Sequence, residues 1–117
     1  KTIALKDAVT QWANVGGLIS GLYTDNYDLI GHSLVDVIAE PARKCLIPFF
    51  DDVKNSANEA GALGAGISGS GPTIFALCKG DDTAEAVYSN IEKAYSKTGI
   101  KFQMLISKVN PTGIRIM

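Results

Sequence analysis

The chain has 117 residues, 46% of them hydrophobic and 20% charged, with a formal net charge of -1. That length suits a single domain, residues 1–117, able to bury roughly 65% of the surface its unfolded chain exposes, and the composition is that of an ordinary globular protein. The balanced charge gives no reason to expect nucleic acid or an acidic membrane as a partner, no apolar run approaches the ~20 residues of a membrane span, and no secretory leader is evident, so a cytoplasmic location is the default expectation.

The first helical signal covers residues 5 to 23. Leu5, Ala8, Val9, Trp12, Gly16 and Ile19 recur at helical spacing, while Lys6, Asp7, Thr10, Gln11 and Asn14 fall on the other side. Its second half, VGGLISGL, is apolar all round and holds three glycines, each costing about 0.8 to 1 kcal/mol against alanine in a helix interior. Close packing against another element would justify that cost.

In TDNYD, Asp25 offers an N-cap, after which Tyr27, Ile30, Leu34, Val37 and Ile38 form the stripe of a second helix. Pro41 pushes Glu40 away from helical angles and breaks the pattern. A third helix then turns Phe49 or Phe50, Val53, Ala57 and Ala60 inward. Residues 62 to 68 are expected as a short strand, followed by a glycine loop and a strand from Thr73 to Cys78. Asp82 with Glu85 resembles a capping box for a fourth helix, lined by Ala84, Val87, Tyr88, Ile91, Ala94 and Tyr95 and ended by Gly99. Phe102, Met104 and Ile106 alternate with Gln103, Leu105 and Ser107 as a half-buried strand, and Asn110 to Gly113 turn the chain into a last strand, GIRIM. Helices followed by this strand and helix order indicate an α+β layer of helices on a mostly antiparallel sheet. Cys45 and Cys78 lack the spacing of a zinc site or disulfide framework and are expected to be reduced and buried. A chain beginning at Lys1 is what a processed protein or a piece of a longer one would show.

Two stretches carry candidate chemistry. The first is GAGISGSGPT, residues 64 to 73. Gly64, Gly66 and Gly69 satisfy GxGxxG, but that fingerprint must follow a strand and open a helix, whereas here a helical segment precedes and the β-rich TIFALC follows. A P-loop would need Gly-Lys-Ser/Thr at its end, and in a GxSxG elbow Ser70 occupies the place of the closing glycine. What remains is a strand-loop-strand whose glycines allow positive backbone angles and whose successive N–H groups could form an anion nest. The competing reading, favoured by local physics alone, is a tight hairpin whose small residues admit another segment. His32, the single histidine, lies off the apolar stripe and reads as a surface residue.

The second stretch is EPARKCLIP, with Arg43 in the chain break beside Pro41. A guanidinium there could hold a carboxylate bidentately, as a lysine does less well. Its plain alternative is an exposed arginine paired with Glu40 or Asp36, worth under about 1 kcal/mol. Arg115 is the only other arginine.

Taken together and in this order, EPARKCLIP and GISGSGPTIFAL closely resemble the C-terminal half of the homoserine kinase family, within the GHMP kinase superfamily. SGSGP is similar to the superfamily's third, C-terminal motif, and EPxRxxLIP is more particular to the family; Phe49 departs from it where many members have glycine. The resemblance implies a ferredoxin-like GHMP kinase C-terminal domain, its helices packed on a four-stranded sheet, beside an N-terminal domain with substrate and ATP between the two. It implies transfer of the γ-phosphoryl of ATP, as its Mg2+ complex, to the side-chain hydroxyl of L-homoserine, in threonine biosynthesis. Arg43 then matches the residue for the substrate carboxylate. Gly66, Ser68, Gly69, Ser70 and Gly71 match the loop that borders the active site and braces the ATP phosphate loop. The family's PxxxGLGSSAA-type ATP loop and its acidic magnesium ligand are not found, so these residues alone are expected to supply no catalytic group and no metal ligand, to bind ATP poorly, and to turn nothing over. A homodimer is a family-based expectation. Two other readings stay open: a mevalonate kinase-like member of the superfamily with the same third motif, and a non-catalytic ferredoxin-like module that binds a small ligand or partner.

Overall fold

The computed structural model describes residues 2–114 and 116. Helix α1 spans Leu5–Tyr23, as its periodicity predicts. Two of its three glycines are explained by helix α2, Tyr27–Ser33. A Cβ on Gly21 would stand 2.9 Å from Ile30 Cγ1 and 3.0 Å from its backbone nitrogen, and one on Gly17 would strike the Ser33 hydroxyl. Glycine therefore lets the two helices approach at backbone distance. Gly16 has open space beside it.

The cap of α2 lies one residue later than expected: the Asn26 side chain accepts from Leu29 N at 3.0 Å, while Asp25 takes a left-handed conformation (φ 51°) in the turn. The helix also stops at Ser33 rather than running to Ile38. Side chains of α1 divert the chain there, because Asn14 Nδ2 donates to Val35 O at 2.7 Å and Gln11 Oε1 accepts from Val37 N at 3.0 Å. These two bonds invert the expected roles of the α1 faces. Polar residues of α1 meet the rest of the chain, whereas Leu5, Val9, Trp12 and Ile19 stand in solvent.

The break at Pro41 is itself helical, a correction to the sequence reading. Helix α3, Ala39–Arg43, carries Pro41 in its first turn, where no N–H is required of it. A 3-10 turn, Lys44–Leu46, leads to helix α4, Phe50–Glu59. Phe49 caps α4 at φ 58°, ψ 24°, a left-handed conformation in which glycine is at home. This is the conformation that the glycine implied by the resemblance at this position would adopt without strain.

Strands β1, Gly64–Ile67, and β2, Ile74–Leu77, pair antiparallel with Gly64 opposite Leu77 and Ile67 opposite Ile74. Helix α5, Asp81–Ser96, follows, with Gly80 (φ 84°) rather than Asp82 at its cap and no side-chain cap bond. Asp81 and Asp82 both lie in its first turn instead, where the helix dipole favours negative charge. The centre of the core is made of small residues: Ala57 of α4, Ala65 of β1 and Val87 of α5, joined by Ala76, Cys78 and Ile91. Ile30, Ile47, Phe50 and Val53 are buried as well. Cys45, expected to be buried, is exposed.

The expected four-stranded sheet is reduced, among the described residues, to the β1–β2 hairpin. Alternation specifies which face of a segment is apolar, but a strand forms only when a neighbour completes its ladder. Residues 101–109 have no such neighbour among the described residues. Phe102 packs edge-on against Tyr95, 5.1 Å between ring centres, and Leu105 and Val109 face solvent. The turn that follows is as expected, with Asn110 Oδ1 accepting from Thr112 N at 3.0 Å. Of the last strand, Gly113 and Ile114 show no strand structure, and Arg115 and Met117 lie outside the described residues. What the chain builds is helices packed on an antiparallel hairpin.

Candidate functional site

The two stretches singled out in the sequence meet in space. Arg43, at the end of α3, donates from Nη1 to the Ser70 carbonyl at 3.1 Å across 27 residues of chain. GAGISGSGPT is a hairpin whose small residues admit another segment, as Ile47 at Gly71 shows, and Arg43 reaches its loop. The pairing of Arg43 with Glu40 or Asp36 is excluded, since each carboxylate is engaged elsewhere.

Asp36 holds the start of α3. Its Oδ1 accepts from Ile38 N and Ala39 N, both at 2.8 Å, and its Oδ2 from Glu40 N at 3.1 Å. Three N–H groups that the helix leaves unpaired are satisfied by one carboxylate. Glu40 turns the other way and accepts from Lys54 Nζ of α4 at 2.6 Å, with side chains only 14% and 20% exposed. The pair pins α3 to α4, and Glu40 also lies over β1: a Cβ on Gly66 would be 3.5 Å from Glu40 Oε2 and 3.3 Å from the Phe75 ring. Among the described residues Arg43 has no carboxylate partner. It presents an uncompensated positive charge on an exposed surface.

The hairpin loop is shaped by two internal bonds, Ser68 N to Thr73 O at 2.8 Å and Gly71 N to Ser68 O at 3.0 Å. Gly71 has φ 77°, and a Cβ there would meet Ile47 Cδ1 at 3.1 Å. Any side chain would both strain the backbone and push the loop off the 3-10 turn that follows Arg43. Ser68, Gly69 and Ser70 are exposed. With the Ser68 and Gly71 N–H groups used inside the turn, those of Gly69 and Ser70 make no protein bond among the described residues. Two free N–H groups, two hydroxyls and a guanidinium thus share one open surface, a donor set suited to anionic oxygens.

Sequence reasoning found Arg43 and the loop and missed their supports. Local sequence offers Asp36 and Glu40 only as partners of Arg43, and nothing local marks Lys54, whose partner lies 14 residues away. His32 is exposed, with Nδ1 bonded to Asp28 O at 2.7 Å. Burial pushes the Cys78 thiol above its ordinary pKa. No helix among the described residues is long and apolar enough to cross a membrane.

Comparison with known proteins shows what the chain is similar to. The chain is 49% identical over its whole length to a homoserine kinase of Chlorobaculum tepidum and 51% identical to one of Chlorobium phaeobacteroides strain BS1. It spans 37% of the length of each of these relatives. The crystal structure of a homoserine kinase from Cytophaga hutchinsonii superposes with a TM-score of 0.84 at 51% identity, over 86% of this chain and 32% of that one. Residues 18–97 match the family described as GHMP kinases C terminal, and the chain belongs to that family.

Proposed function

We propose that this chain is the C-terminal part of a homoserine kinase, which transfers the γ-phosphoryl of ATP to the side-chain hydroxyl of L-homoserine in the cytoplasm, a step of threonine biosynthesis. The observation that carries the reading is the bond between Arg43 and the Ser70 carbonyl. It places a free guanidinium against the glycine loop, so that a carboxylate on one and phosphate oxygens near the other would be neighbours. The relatives named above support the choice of substrate.

In this reading Arg43 grips the homoserine carboxylate with its planar fork, held at the end of α3 by Asp36 and by the Glu40–Lys54 pair. The N–H groups of Gly69 and Ser70 and the hydroxyls of Ser68 and Ser70 border the phosphate path, while Gly66 and Gly71 let Glu40, Phe75 and Ile47 pack against the hairpin that carries the loop. Phosphoryl transfer depends chiefly on positioning and charge neutralisation. ATP supplies the phosphoryl group and its magnesium ion part of the neutralising charge. The loop fits a phosphate edge. This reading assigns this chain no ligand of the magnesium ion. Its ligands, and the remaining walls of the nucleotide site, belong to the N-terminal domain with which this chain would pack.

The test is homoserine-dependent ADP formation by a chimera in which this chain replaces the matching 37% of the Chlorobaculum tepidum enzyme, beside the isolated chain. Activity of the chimera and silence of the chain are expected. Turnover by the isolated 117 residues would refute the division of labour, and a soluble, folded but inactive chimera would refute the assignment.

A further inference from the structure

The segment between α2 and α3, residues 34–38, forms no helix or strand, so its backbone groups need partners from elsewhere. Two come from α1. Asn14 Nδ2 donates to the Val35 carbonyl at 2.7 Å, and Gln11 Oε1 accepts from Val37 N at 3.0 Å. Gln11 and Asn14 are three residues apart and so lie side by side on one helix face, which suits them to two backbone groups of a single short strap. Asp36 stands between the two anchored residues. Its carboxylate turns toward the next element and accepts from the N–H groups of Ile38, Ala39 and Glu40, at 2.8, 2.8 and 3.1 Å, holding the start of α3, whose last residue is Arg43. An unbroken series of hydrogen bonds and short chain thus runs from α1 through the strap to the guanidinium. Helix α3 has only five residues, too few to be stable alone, so its direction is set by what holds it.

We propose that Gln11 and Asn14 are positioning residues for the substrate carboxylate, acting through Asp36 on Arg43. The proposal rests on the kinase reading and adds to it the residues that aim the clamp. A guanidinium meets a carboxylate with two parallel N–H bonds and is therefore sensitive to direction as well as distance, and a misplacement of about 1 Å in such a site can cost about 100-fold. Moving the strap moves Asp36 and with it the first turn of α3. At about 1.5 Å of rise per residue, the Arg43 backbone lies only about 6 Å further along. The Glu40–Lys54 pair ties the same helix to α4, so strap and pair hold α3 from two directions. Neither amide serves α1 itself, which packs on α2 at Gly17 and Gly21. Both amide side chains belong to residues partly open to solvent, where one hydrogen bond adds little to folding. Their consequence is orientation rather than stability.

The test uses the Chlorobaculum chimera carrying Asn14→Leu or Gln11→Met, which nearly keep the side-chain shape and remove the bond. Each should lower kcat/KM for homoserine about three- to tenfold and shift the melting temperature by no more than about 3 °C. On 3-aminopropanol, the homoserine analogue without a carboxylate, neither should cost anything. In an Arg43→Ala background neither should lower kcat/KM for homoserine any further. A merely structural role would depress all three readouts together. Amide hydrogen exchange on the same proteins gives a readout independent of turnover: the N–H groups of Ile38, Ala39 and Glu40 should exchange about fivefold faster or more in both variants. Unchanged homoserine kinetics, an equal loss on both substrates, a further loss without Arg43, or unchanged exchange at residues 38–40 overturns the proposal. Any of these in an active parent chimera sinks the positioning role alone, whereas a folded but inactive parent sinks the kinase reading and the clamp with it.

Discussion

Replacing Arg43 separates its role as a substrate clamp from a role as a brace for the loop. The guanidinium is exposed and its one protein bond, 3.1 Å to the Ser70 carbonyl, is worth under about 1 kcal/mol to folding at such a site. Arg43→Ala should therefore shift the melting temperature of the chimera by no more than about 3 °C. A charge-assisted pair with a substrate carboxylate is worth about 1.5 to 3 kcal/mol, which at 1.4 kcal/mol per decade raises the homoserine KM roughly 10- to 150-fold. Arg43→Lys retains the charge but loses the fork, and should fall between. The ATP KM should stay within about twofold, since the substituted group does not face the phosphates in this reading. The assay is coupled ADP formation with each substrate varied in turn, repeated with 3-aminopropanol, which keeps the amine and hydroxyl of homoserine but lacks the carboxylate. On that analogue the substitution should cost nothing. An equal loss on both substrates, or a parallel rise in the ATP KM, would show that Arg43 acts through the loop and would refute the clamp.

Three further outcomes follow from the geometry. Phe49 sits in the left-handed region and is about half exposed; Phe49→Ala should cost about 1 kcal/mol of lost burial, whereas Phe49→Gly should be more stable than the alanine variant by about 0.5 to 1 kcal/mol, the reverse of the usual order, as read from urea midpoints. The Glu40–Lys54 pair is mostly buried, so Glu40→Gln and Lys54→Met should each destabilise by about 1 to 3 kcal/mol and the double variant by clearly less than their sum; strict additivity in a double-mutant cycle would remove the pair as a support of α3. Iodoacetamide at mildly alkaline pH should alkylate the exposed Cys45 well before Cys78, whose burial both shields the thiol and raises its pKa; since the raised value keeps the thiol protonated in the folded chain, its contribution to stability is full below the unfolded cysteine pKa and is lost as pH rises through the folded value.

What could be read from the sequence divides by range. The limits of α1, the inward residues of α4 and the two hairpin strands come from signals that act over four residues or fewer, namely helical period, strand alternation and the turn-forming glycines. The errors share a different origin. Helix α2 ends early because Asn14 and Gln11 reach backbone 21 and 26 residues away, and no local propensity registers a side chain arriving from another helix. The same bonds turn the polar side of α1 inward, so an amphipathic pattern that correctly announced a helix announced the wrong buried face. Residues 102–107 alternate as a strand should, yet alternation specifies a face without supplying the neighbour that must complete the ladder. The contact of Arg43 with Ser70, 27 residues apart, lies beyond local signals too: these read the loop as a hairpin whose small residues admit another segment, as Ile47 at Gly71 does, and Arg43 as a surface ion pair, in whose place stands the Ser70 bond. Only the joint occurrence of EPARKCLIP and GISGSGPTIFAL brought them together, because such a combination of motifs encodes a spatial relation that periodicity cannot. The small residues of the loop then acquire a physical reason: Gly71 admits Ile47 and Gly66 admits Glu40 and Phe75, so the 3-10 turn and α3 close against the hairpin and deliver the guanidinium to it.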